Sequence, residues 1–147
     1  VGDVFVAEAA AEPGAVFGGE PSGAWIWPDE TLCPDGPLAA CKLAALVGSR
    51  GPLSALVDSV DSYPLSRDNI EVSDKAAVME RVAENVQGEF DQVDTIDGVR
   101  VDTDDGWVLI RASGTQPLVR VTAEAGTEAA AQRLRELAVD RVTAAMA

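Results

Sequence analysis

Two Asp-Gly pairs constrain the fold of this chain more than any other feature of its sequence. Asp97-Gly98 and Asp105-Gly106 are strong signals for hairpin turns, because glycine and aspartate tolerate the positive φ angles that tight hairpins need. Between them, Val99–Thr103 alternates apolar and polar side chains, as a half-buried strand does. The pattern predicts an antiparallel sheet with two further strands, over residues 107–111 and 118–125.

Helical patterns surround this predicted sheet. Val78, Val82 and Val86 recur at helical spacing, after an N-cap predicted at Ser73 and before a stop at Gly88. A last helix, capped by Thr127, is predicted to have an inner face made of Leu134, Leu137, Val142 and Met146. The order strand, helix, strands, helix predicts an α+β domain whose antiparallel sheet is covered on one side by two helices.

The earlier part of the chain carries a different pattern, which we interpret as the end of an α/β unit whose beginning is absent. Helical composition over residues 1–11 is followed by short predicted strands over residues 15–17 and 25–27. Asp35 is the predicted N-cap of a helix that Gly48 ends. The apolar stripe of this helix is predicted to comprise Leu38, Cys41, Ala45 and Leu46.

A domain boundary is predicted after a short helical segment over residues 52–60. The region 58–69 mixes Asp, Ser, Tyr, Pro and Arg, and the periodicity of apolar residues resets beyond it. We therefore expect an α/β part over residues 1–60 and the α+β domain over residues 61–147.

The charge of the chain limits its partners. Its formal net charge is −14, with 25 Asp and Glu against 11 Lys and Arg, so nucleic acid and anionic membranes are poor partners. Lys42 and Lys75 are the only lysines. This acidic, lysine-poor composition suggests a cytoplasm of high salt, where a screening length of about 3 Å at 1 M weakens self-repulsion. An ordinary acidic bacterial protein is the alternative.

Metal binding and histidine chemistry are not expected of this chain. It has no histidine, and Cys33 and Cys41 lack the spacing of a zinc site, so we expect no bound metal. The two cysteines could form one disulfide, but in a cytosolic chain we expect reduced, partly buried thiols. Any acid–base chemistry done by the chain alone would use carboxylates, Lys, Tyr or Cys.

The segment 111–120, Arg-Ala-Ser-Gly-Thr-Gln-Pro-Leu-Val-Arg, is the first candidate site. Ser113 and Thr115 offer hydroxyl donors, Gly114 permits a tight turn, and Arg111 and Arg120 offer forked donors suited to a phosphate. No Asp or Glu occurs between residues 106 and 123, so the local field favours an anion. The alternative is a polar hairpin whose arginines pair with acids across the sheet.

The segment 18–23, Gly-Gly-Glu-Pro-Ser-Gly, is the second candidate site. The carboxylate of Glu20 can accept hydrogen bonds from two neighbouring hydroxyls, and Ser22 can donate or accept beside it. This chemistry suits a sugar better than a phosphate. The alternative is a glycine-rich turn that joins two short strands, with Trp25 and Trp27 as core or interface residues.

Together, the two segments resemble the ligand-binding loops of the α-D-phosphohexomutase superfamily. Its members have a G-E-x-S-G sugar loop in the third domain. In the fourth they have an R-P-S-G-T-E-P-x-x-R phosphate loop, preceded by D-G-W-x-x-x-R. Residues 19–23 and 111–120 take these places, with Asp105-Gly106-Trp107 before the second loop. The resemblance covers nearly the whole chain.

The resemblance implies a function for both loops. Glu20 and Ser22 would bind the sugar hydroxyls. The non-reacting phosphate would be held by Arg111, Ser113, Gly114, Thr115 and Arg120. Such enzymes are cytoplasmic isomerases that interconvert hexose 1- and 6-phosphates through a phosphoserine, Mg²⁺ and a bisphosphate intermediate. The catalytic serine and the metal loop belong to the first two domains, so this chain alone is expected to be inactive and to bind no metal.

Departures from the family pattern leave alternatives open. Gln116 stands in the usual place of Glu, Ala112 in that of Pro, and Ala24 where several members have His. The substrate is expected to be an amino-sugar, mannose or glucose phosphate, with a lean toward the phosphoglucosamine and phosphomannomutase branches. A standalone, non-catalytic phosphosugar-binding or regulatory module is the second hypothesis, and a purely structural or interaction protein is the third.

Overall fold

The structure, a computed structural model, describes residues 2–90 and 92–147. They form two compact units, the first ending at Asp61 and the second running from Ser62 to Ala147. No helix in the described part of the chain is both long and apolar enough to cross a bilayer.

The first unit is built from three helices and one small sheet. Its elements are α1 (Asp3–Ala10), β1 (Gly18–Gly19), β2 (Trp25–Ile26), α2 (Gly36–Arg50) and α3 (Leu53–Val57). The strands β1 and β2 pair in antiparallel fashion, with Gly18 opposite Ile26 and Gly19 opposite Trp25.

Glycine places β1 later than the sequence predicted. The strand covers Gly18–Gly19 and not residues 15–17, and Val16 and Phe17 before it are exposed. A Cβ atom on Gly18 would lie 2.9 Å from Cγ1 of Val6, and one on Gly19 would lie 2.8 Å from Cδ1 of Trp25. The two glycines thus allow β1 to pack closely against α1 and β2, and a larger residue at either position would require Val6 or Trp25 to move.

The start of α2 is as predicted, but its end is not. The Asp35 side chain accepts a hydrogen bond of 2.8 Å from the amide of Leu38, which confirms the N-cap. The helix continues through Gly48 to Arg50 and stops at Gly51, whose φ of 100° only glycine adopts readily.

The apolar stripe predicted for α2 is largely wrong. Ala39 is the buried residue of this helix, Leu38 is half-buried, and Cys41, Ala45 and Leu46 are exposed. The side of the helix that faces the aromatic side chains of the first unit carries Lys42, Leu43 and Leu46, with Nζ of Lys42 5.8 Å from the ring centroid of Trp27. Both cysteines are unpaired and exposed, which corrects the expectation of partly buried thiols.

The second unit has the predicted α+β architecture. Its elements are β3 (Leu65–Glu71), α4 (Lys75–Gln87), β4 (Val93–Asp94), β5 (Val99–Thr103), β6 (Gly106–Ala112), β7 (Leu118–Ala125) and α5 (Glu128–Met146). The strands form one antiparallel sheet in the order β3-β7-β6-β5-β4. The sequence did not predict β4, which is only two residues long.

The core of this unit lies between one face of the sheet and the two helices α4 and α5. The predicted stripe of α4, Val78, Val82 and Val86, is fully buried there. Burial of each such valine contributes about 1.5–3 kcal/mol to stability. The buried side chains of β7, which lies between β3 and β6, are Val119, Val121, Ala123 and Ala125. We call the opposite side of the sheet, formed by the side chains that alternate with these core residues, the polar face.

Two details of the helices differ from the sequence prediction. Asp74, not Ser73, is the N-cap of α4, because its carboxylate accepts a hydrogen bond of 3.1 Å from the amide of Ala77 and carries the charge that a helix N-terminus favours. Thr127 caps α5 as predicted. The inner face predicted for α5 is wrong in part, because Met146 is 45% exposed and Leu137 is only half-buried. The buried positions are Ala130, Ala131, Leu134, Ala138, Val142 and Ala145.

Candidate functional site

The candidate phosphate loop, residues 113–117, joins the ends of β6 and β7. Its base is closed by a hydrogen bond of 2.9 Å from the Ser113 amide to the Leu118 carbonyl. A second bond, of 3.0 Å, runs from the Val72 amide to the Pro117 carbonyl and ties the loop to the segment after β3. Ser113 is 3% exposed, whereas Gly114 and Thr115 are exposed. The base of the loop is therefore fixed while its tip faces outward.

Arg111 and Arg120 lie directly opposite each other on adjacent strands of the polar face. They are cross-strand partners in the β6–β7 register, and Asn69 of β3 continues the same row. Like charges placed directly opposite in a sheet are destabilising. An anion bound between them would relieve this repulsion, so the register itself favours an anion site.

The contacts that the two arginines make leave donors for a ligand. Nη1 of Arg111 lies 3.8 Å from Oδ2 of Asp97, a long ion pair, and Nη2 of Arg120 donates to Oε1 of Gln116 over 3.1 Å. The alternative, in which both arginines pair with acids across the sheet, therefore holds in part for Arg111, through its long ion pair with Asp97. Within residues 2–90 and 92–147 no acid pairs with Arg120.

Lys75 belongs to this site and was missed in the sequence. Its Nζ donates a hydrogen bond of 2.6 Å to the Ser113 carbonyl, across 38 residues of sequence. One signal could have pointed to it: a lysine stands at the first position of a helix, where the helix dipole disfavours a cation, in a chain with two lysines.

A second group of side chains braces the polar face beside the arginines. Arg100 forms two hydrogen bonds with Asp102, of 2.9 and 2.7 Å, and its guanidinium lies 4.6 Å from the ring centroid of Trp107. The Trp107 indole in turn donates to Glu124 over 3.0 Å. The hydrogen bonds between Arg100 and Asp102 raise the pKa of Arg100 and lower the pKa of Asp102. The array holds the β5, β6 and β7 strands in register next to the two arginines.

Asp102→Asn is expected to lower the free energy of unfolding at neutral pH, because an amide cannot accept two charge-assisted hydrogen bonds from Arg100. The folded-state pKa of Asp102 lies below its ordinary value of 3.8, so its contribution is complete above that pH and is lost as the pH falls through the lower pKa. Urea unfolding at about pH 7 and about pH 2 checks this. A difference between parent and variant that is the same at both pH values would contradict it.

The candidate sugar loop, residues 20–24, lies in the first unit and is closed by its own backbone. The Glu20 amide donates to the Ala24 carbonyl over 3.2 Å, and the Gly23 amide donates to the Glu20 carbonyl over 3.0 Å. The Glu20 side chain is half-buried, and its Oε1 accepts a hydrogen bond of 2.9 Å from the Gly2 amide at the start of α1. This bond fixes the carboxylate and leaves its Oε2 as an acceptor, with Ser22 exposed nearby in the same loop.

Trp25 and Trp27 pack with Phe17 in an aromatic cluster of the first unit. The ring centroids of Phe17 and Trp27 are 5.2 Å apart, and those of Trp25 and Trp27 are 6.5 Å apart in an edge-to-face arrangement. These tryptophans are therefore packing residues, as the structural alternative for this segment proposed. Their packing positions the β1–β2 loop that carries Glu20.

The predicted site residues thus fall into two groups. The five predicted phosphate contacts lie on one hairpin of the second unit, and Glu20 and Ser22 lie on one hairpin of the first. Among the residues that the structure describes, no group of three or more His, Cys, Asp or Glu side chains is placed to hold a metal ion.

Comparison with known families matches both units. Residues 69–141 match the model of the phosphoglucomutase/phosphomannomutase C-terminal domain, and residues 1–63 match that of the alpha/beta/alpha domain III of the same family. The chain belongs to the phosphoglucomutase/phosphomannomutase family. This confirms the resemblance read from the two loops and the predicted succession of an α/β part and an α+β domain.

Relatives and solved structures agree with this membership. Proteins named "Probable phosphoglucosamine mutase" from Methanopyrus kandleri and Methanothermobacter thermautotrophicus are each 51% identical, over 97% and 92% of this chain. In both cases this chain covers 32% of the relative, so it spans about a third of the length of these proteins.

Two solved structures share the fold. A phosphoglucomutase/phosphomannomutase family protein from Burkholderia thailandensis superposes with a TM-score of 0.83 at 26% identity, over 99% of this chain and 31% of its own. N-acetylphosphoglucosamine mutase of Aspergillus fumigatus, solved with GlcNAc-6P and magnesium, gives a TM-score of 0.54 at 20% identity, over 79% of this chain and 22% of its own.

Proposed function

We propose that this chain is the substrate-binding, C-terminal portion of a phosphohexomutase that interconverts hexosamine 1- and 6-phosphates. The observation that carries the proposal is the arginine pair Arg111 and Arg120, held directly opposite each other beside an outward-facing glycine loop. The names of the relatives from Methanopyrus kandleri and Methanothermobacter thermautotrophicus support phosphoglucosamine as the substrate among the hexose phosphates.

The residues of the second unit are assigned to the phosphate that does not react. Arg111 and Arg120 provide charge and forked donors. Ser113 and Thr115 provide hydroxyl donors, and Gly114 and Thr115 provide amide donors, because the Ser113 amide already donates to the Leu118 carbonyl. Phosphoryl transfer depends on positioning, so the task of this loop is to hold one end of the substrate while the other end reacts. Because the bisphosphate intermediate turns around, the same loop receives either end.

The residues of the first unit are assigned to the sugar. Glu20 accepts hydrogen bonds from two hydroxyls, and Ser22 supplies a further polar contact. The bond from the Gly2 amide already fixes the Glu20 carboxylate, so less side-chain freedom is lost when a sugar binds.

The rest of the mechanism is assigned to the missing N-terminal domains, the partners of this chain. They would carry the phosphoserine and the Mg²⁺, which would neutralise charge on the transferred phosphoryl group. The first unit corresponds to the end of the sugar-binding third domain, and the second to the phosphate-binding fourth. A cytoplasm of high ionic strength is the proposed setting, supported by the net charge of −14.

An amide-resolved NMR titration of the 147-residue chain with glucosamine 6-phosphate tests the proposal. We expect shifts at the amides of residues 113–115 and at those of Glu20, Ser22 and Gly23, since Pro21 has no amide proton. The shifts of the second group should be weaker with inorganic phosphate, which has no sugar. Mannose 6-phosphate, which differs at C2 in both substituent and configuration, shows how far that position matters. The absence of any shift in residues 113–115 with millimolar concentrations of all three compounds would contradict the proposal.

Glu20→Gln provides a matched variant for the sugar loop. A glutamine can still accept the Gly2 hydrogen bond through its amide oxygen, so the loop keeps its shape. The variant should lower the affinity for glucosamine 6-phosphate and leave that for inorganic phosphate unchanged. An equal fall for both ligands would show that Glu20 does not act on the sugar.

A further inference from the structure

Lys75 occupies a position that its own helix makes unfavourable. It is the first residue of α4, directly after the N-cap Asp74, where a cation meets the positive end of the helix dipole. Its side chain nevertheless points to the phosphate loop and is half-buried there, with Nζ 2.6 Å from the Ser113 carbonyl oxygen. The contact with the loop therefore explains this lysine better than its helix does.

The hydrogen bond from Lys75 determines the direction of a backbone donor. The Ser113–Gly114 peptide is planar and trans, so its carbonyl and its N–H point in opposite directions. With the carbonyl held by the ammonium on one side, the Gly114 amide is directed away from Lys75. Gly114 is exposed, and a Cβ atom built on it would meet nothing within 4 Å, so there is space beside it for a ligand.

The same contact strengthens that donor. A cation bound to a peptide carbonyl polarises the peptide group, and hydrogen bonds that share one peptide reinforce each other. Lys75 also adds a third positive charge near the loop, beside those of Arg111 and Arg120, without using a donor position on the ligand side.

We propose that Lys75 is a positioning residue of the phosphate loop, which fixes the Ser113–Gly114 peptide so that the Gly114 amide donates to the bound phosphate. Lys75 acts through the Ser113 carbonyl and does not contact the phosphate. This inference rests on the proposed function and adds to it the element, α4, that sets the geometry of the loop.

The test compares Lys75→Met with the parent chain, with inorganic phosphate as the probe and NMR as the readout. Methionine has a similar length but neither charge nor donor. Phosphate affinity is expected to fall about tenfold, and the shift of the Gly114 amide at saturation should shrink more than that of Thr115. If Lys75→Met does not fold, Lys75→Gln, which removes the charge but keeps a polar side chain, takes its place.

Arg81→Met is the matched control. Arg81 lies on the same helix and is exposed, and its recorded hydrogen bond, of 3.3 Å, runs to Ala77 of its own helix. Its loss changes the net charge by the same amount and should alter phosphate affinity by less than about twofold, as expected for a screened surface charge.

The outcomes separate the two proposals. If residues 113–115 of the parent chain respond to none of inorganic phosphate, glucosamine 6-phosphate and mannose 6-phosphate, the proposed function fails and this inference fails with it. If the parent responds to glucosamine 6-phosphate but not to inorganic phosphate, the same comparison of variants is made with glucosamine 6-phosphate. If the parent responds and Lys75→Met responds with the same affinity and the same Gly114 shift, only the role of Lys75 is overturned. An equal loss of phosphate affinity in Lys75→Met and Arg81→Met would overturn the positioning role, because it would show that Lys75 acts only through its charge.

Discussion

Arg120→Thr is expected to stabilise the free chain and at the same time to weaken its binding of inorganic phosphate at least about tenfold. The two effects have opposite signs because Arg120 lies directly opposite Arg111, a repulsion that costs about 0.2–1 kcal/mol without an anion. Threonine suits an exposed strand position. The lost hydrogen bond to Gln116 is exposed and contributes little. A charge-assisted contact with a phosphate, by contrast, contributes about 1.5–3 kcal/mol.

Urea unfolding and a phosphate titration measure the two effects, with Arg67→Thr as the control. Arg67 is an exposed arginine of β3 on the same polar face, but its cross-strand partner is Thr122. The control removes the same charge but does not relieve a like-charge pair. Its free energy of unfolding should therefore not rise, and its phosphate affinity should not fall. A variant Arg120→Thr that is less stable and binds phosphate as before would make Arg120 a structural residue.

The sequence was most informative about the second unit. Its turns, its alternating strands and the valine stripe of α4 are local patterns, and each is reinforced by its neighbours in the sheet. The loop between β6 and β7 followed from the same pattern together with the family motif. The cross-strand pairing of Arg111 with Arg120 was open to prediction as well, because the length of the loop and the alternation of β7 fix the register.

The contact of Lys75 with Ser113 could not be derived in the same way. It joins two residues 38 positions apart, and it depends on how α4 crosses the end of the sheet. Long-range packing of this kind follows from side-chain shape and not from periodicity. The arrangement of Arg100, Trp107 and Glu124 is a similar case, since the whole array needs the register of β5 on β6 and of β6 on β7 at once.

Alanine and the glycines account for most of the errors. Alanine occurs on either side of a helix, so its pattern does not show which residues are buried. The sequence therefore did not favour Ala138 and Ala145 over Met146 as buried residues of α5. In the same way it did not favour Ala39 over Cys41 on α2. The prediction that Gly48 ends α2 is wrong, since a glycine in a helix interior costs only about 1 kcal/mol and the helix continues through it. Gly51, with its positive φ, is the residue that ends the helix.

Gly98→Ala is expected to destabilise the chain by about 3 kcal/mol and to disturb the phosphate site through Arg111. Gly98 has a φ of 88°, which costs an alanine about 1–2 kcal/mol. Its new Cβ would lie 2.3 Å from the carbonyl oxygen of Ile110 and 3.0 Å from Cβ of Arg111. Both neighbours belong to β6, so relief of the clash requires a movement of that strand, at a further cost of about 1–3 kcal/mol.

Gly88→Ala is the control for this substitution. Gly88 has a φ of −87°, and a Cβ there would meet nothing within 4 Å, so its stability should change by less than about 1 kcal/mol. Urea unfolding measures both variants, and the phosphate titration follows at a temperature where Gly98→Ala is folded. Movement of Arg111 away from Arg120, its cross-strand partner, should lower phosphate affinity in Gly98→Ala. Gly88→Ala should keep the phosphate affinity of the parent chain. A folded Gly98→Ala chain with full phosphate affinity would show that the position of Arg111 on β6 does not limit binding, and Arg120 with the loop amides would then have to hold the anion.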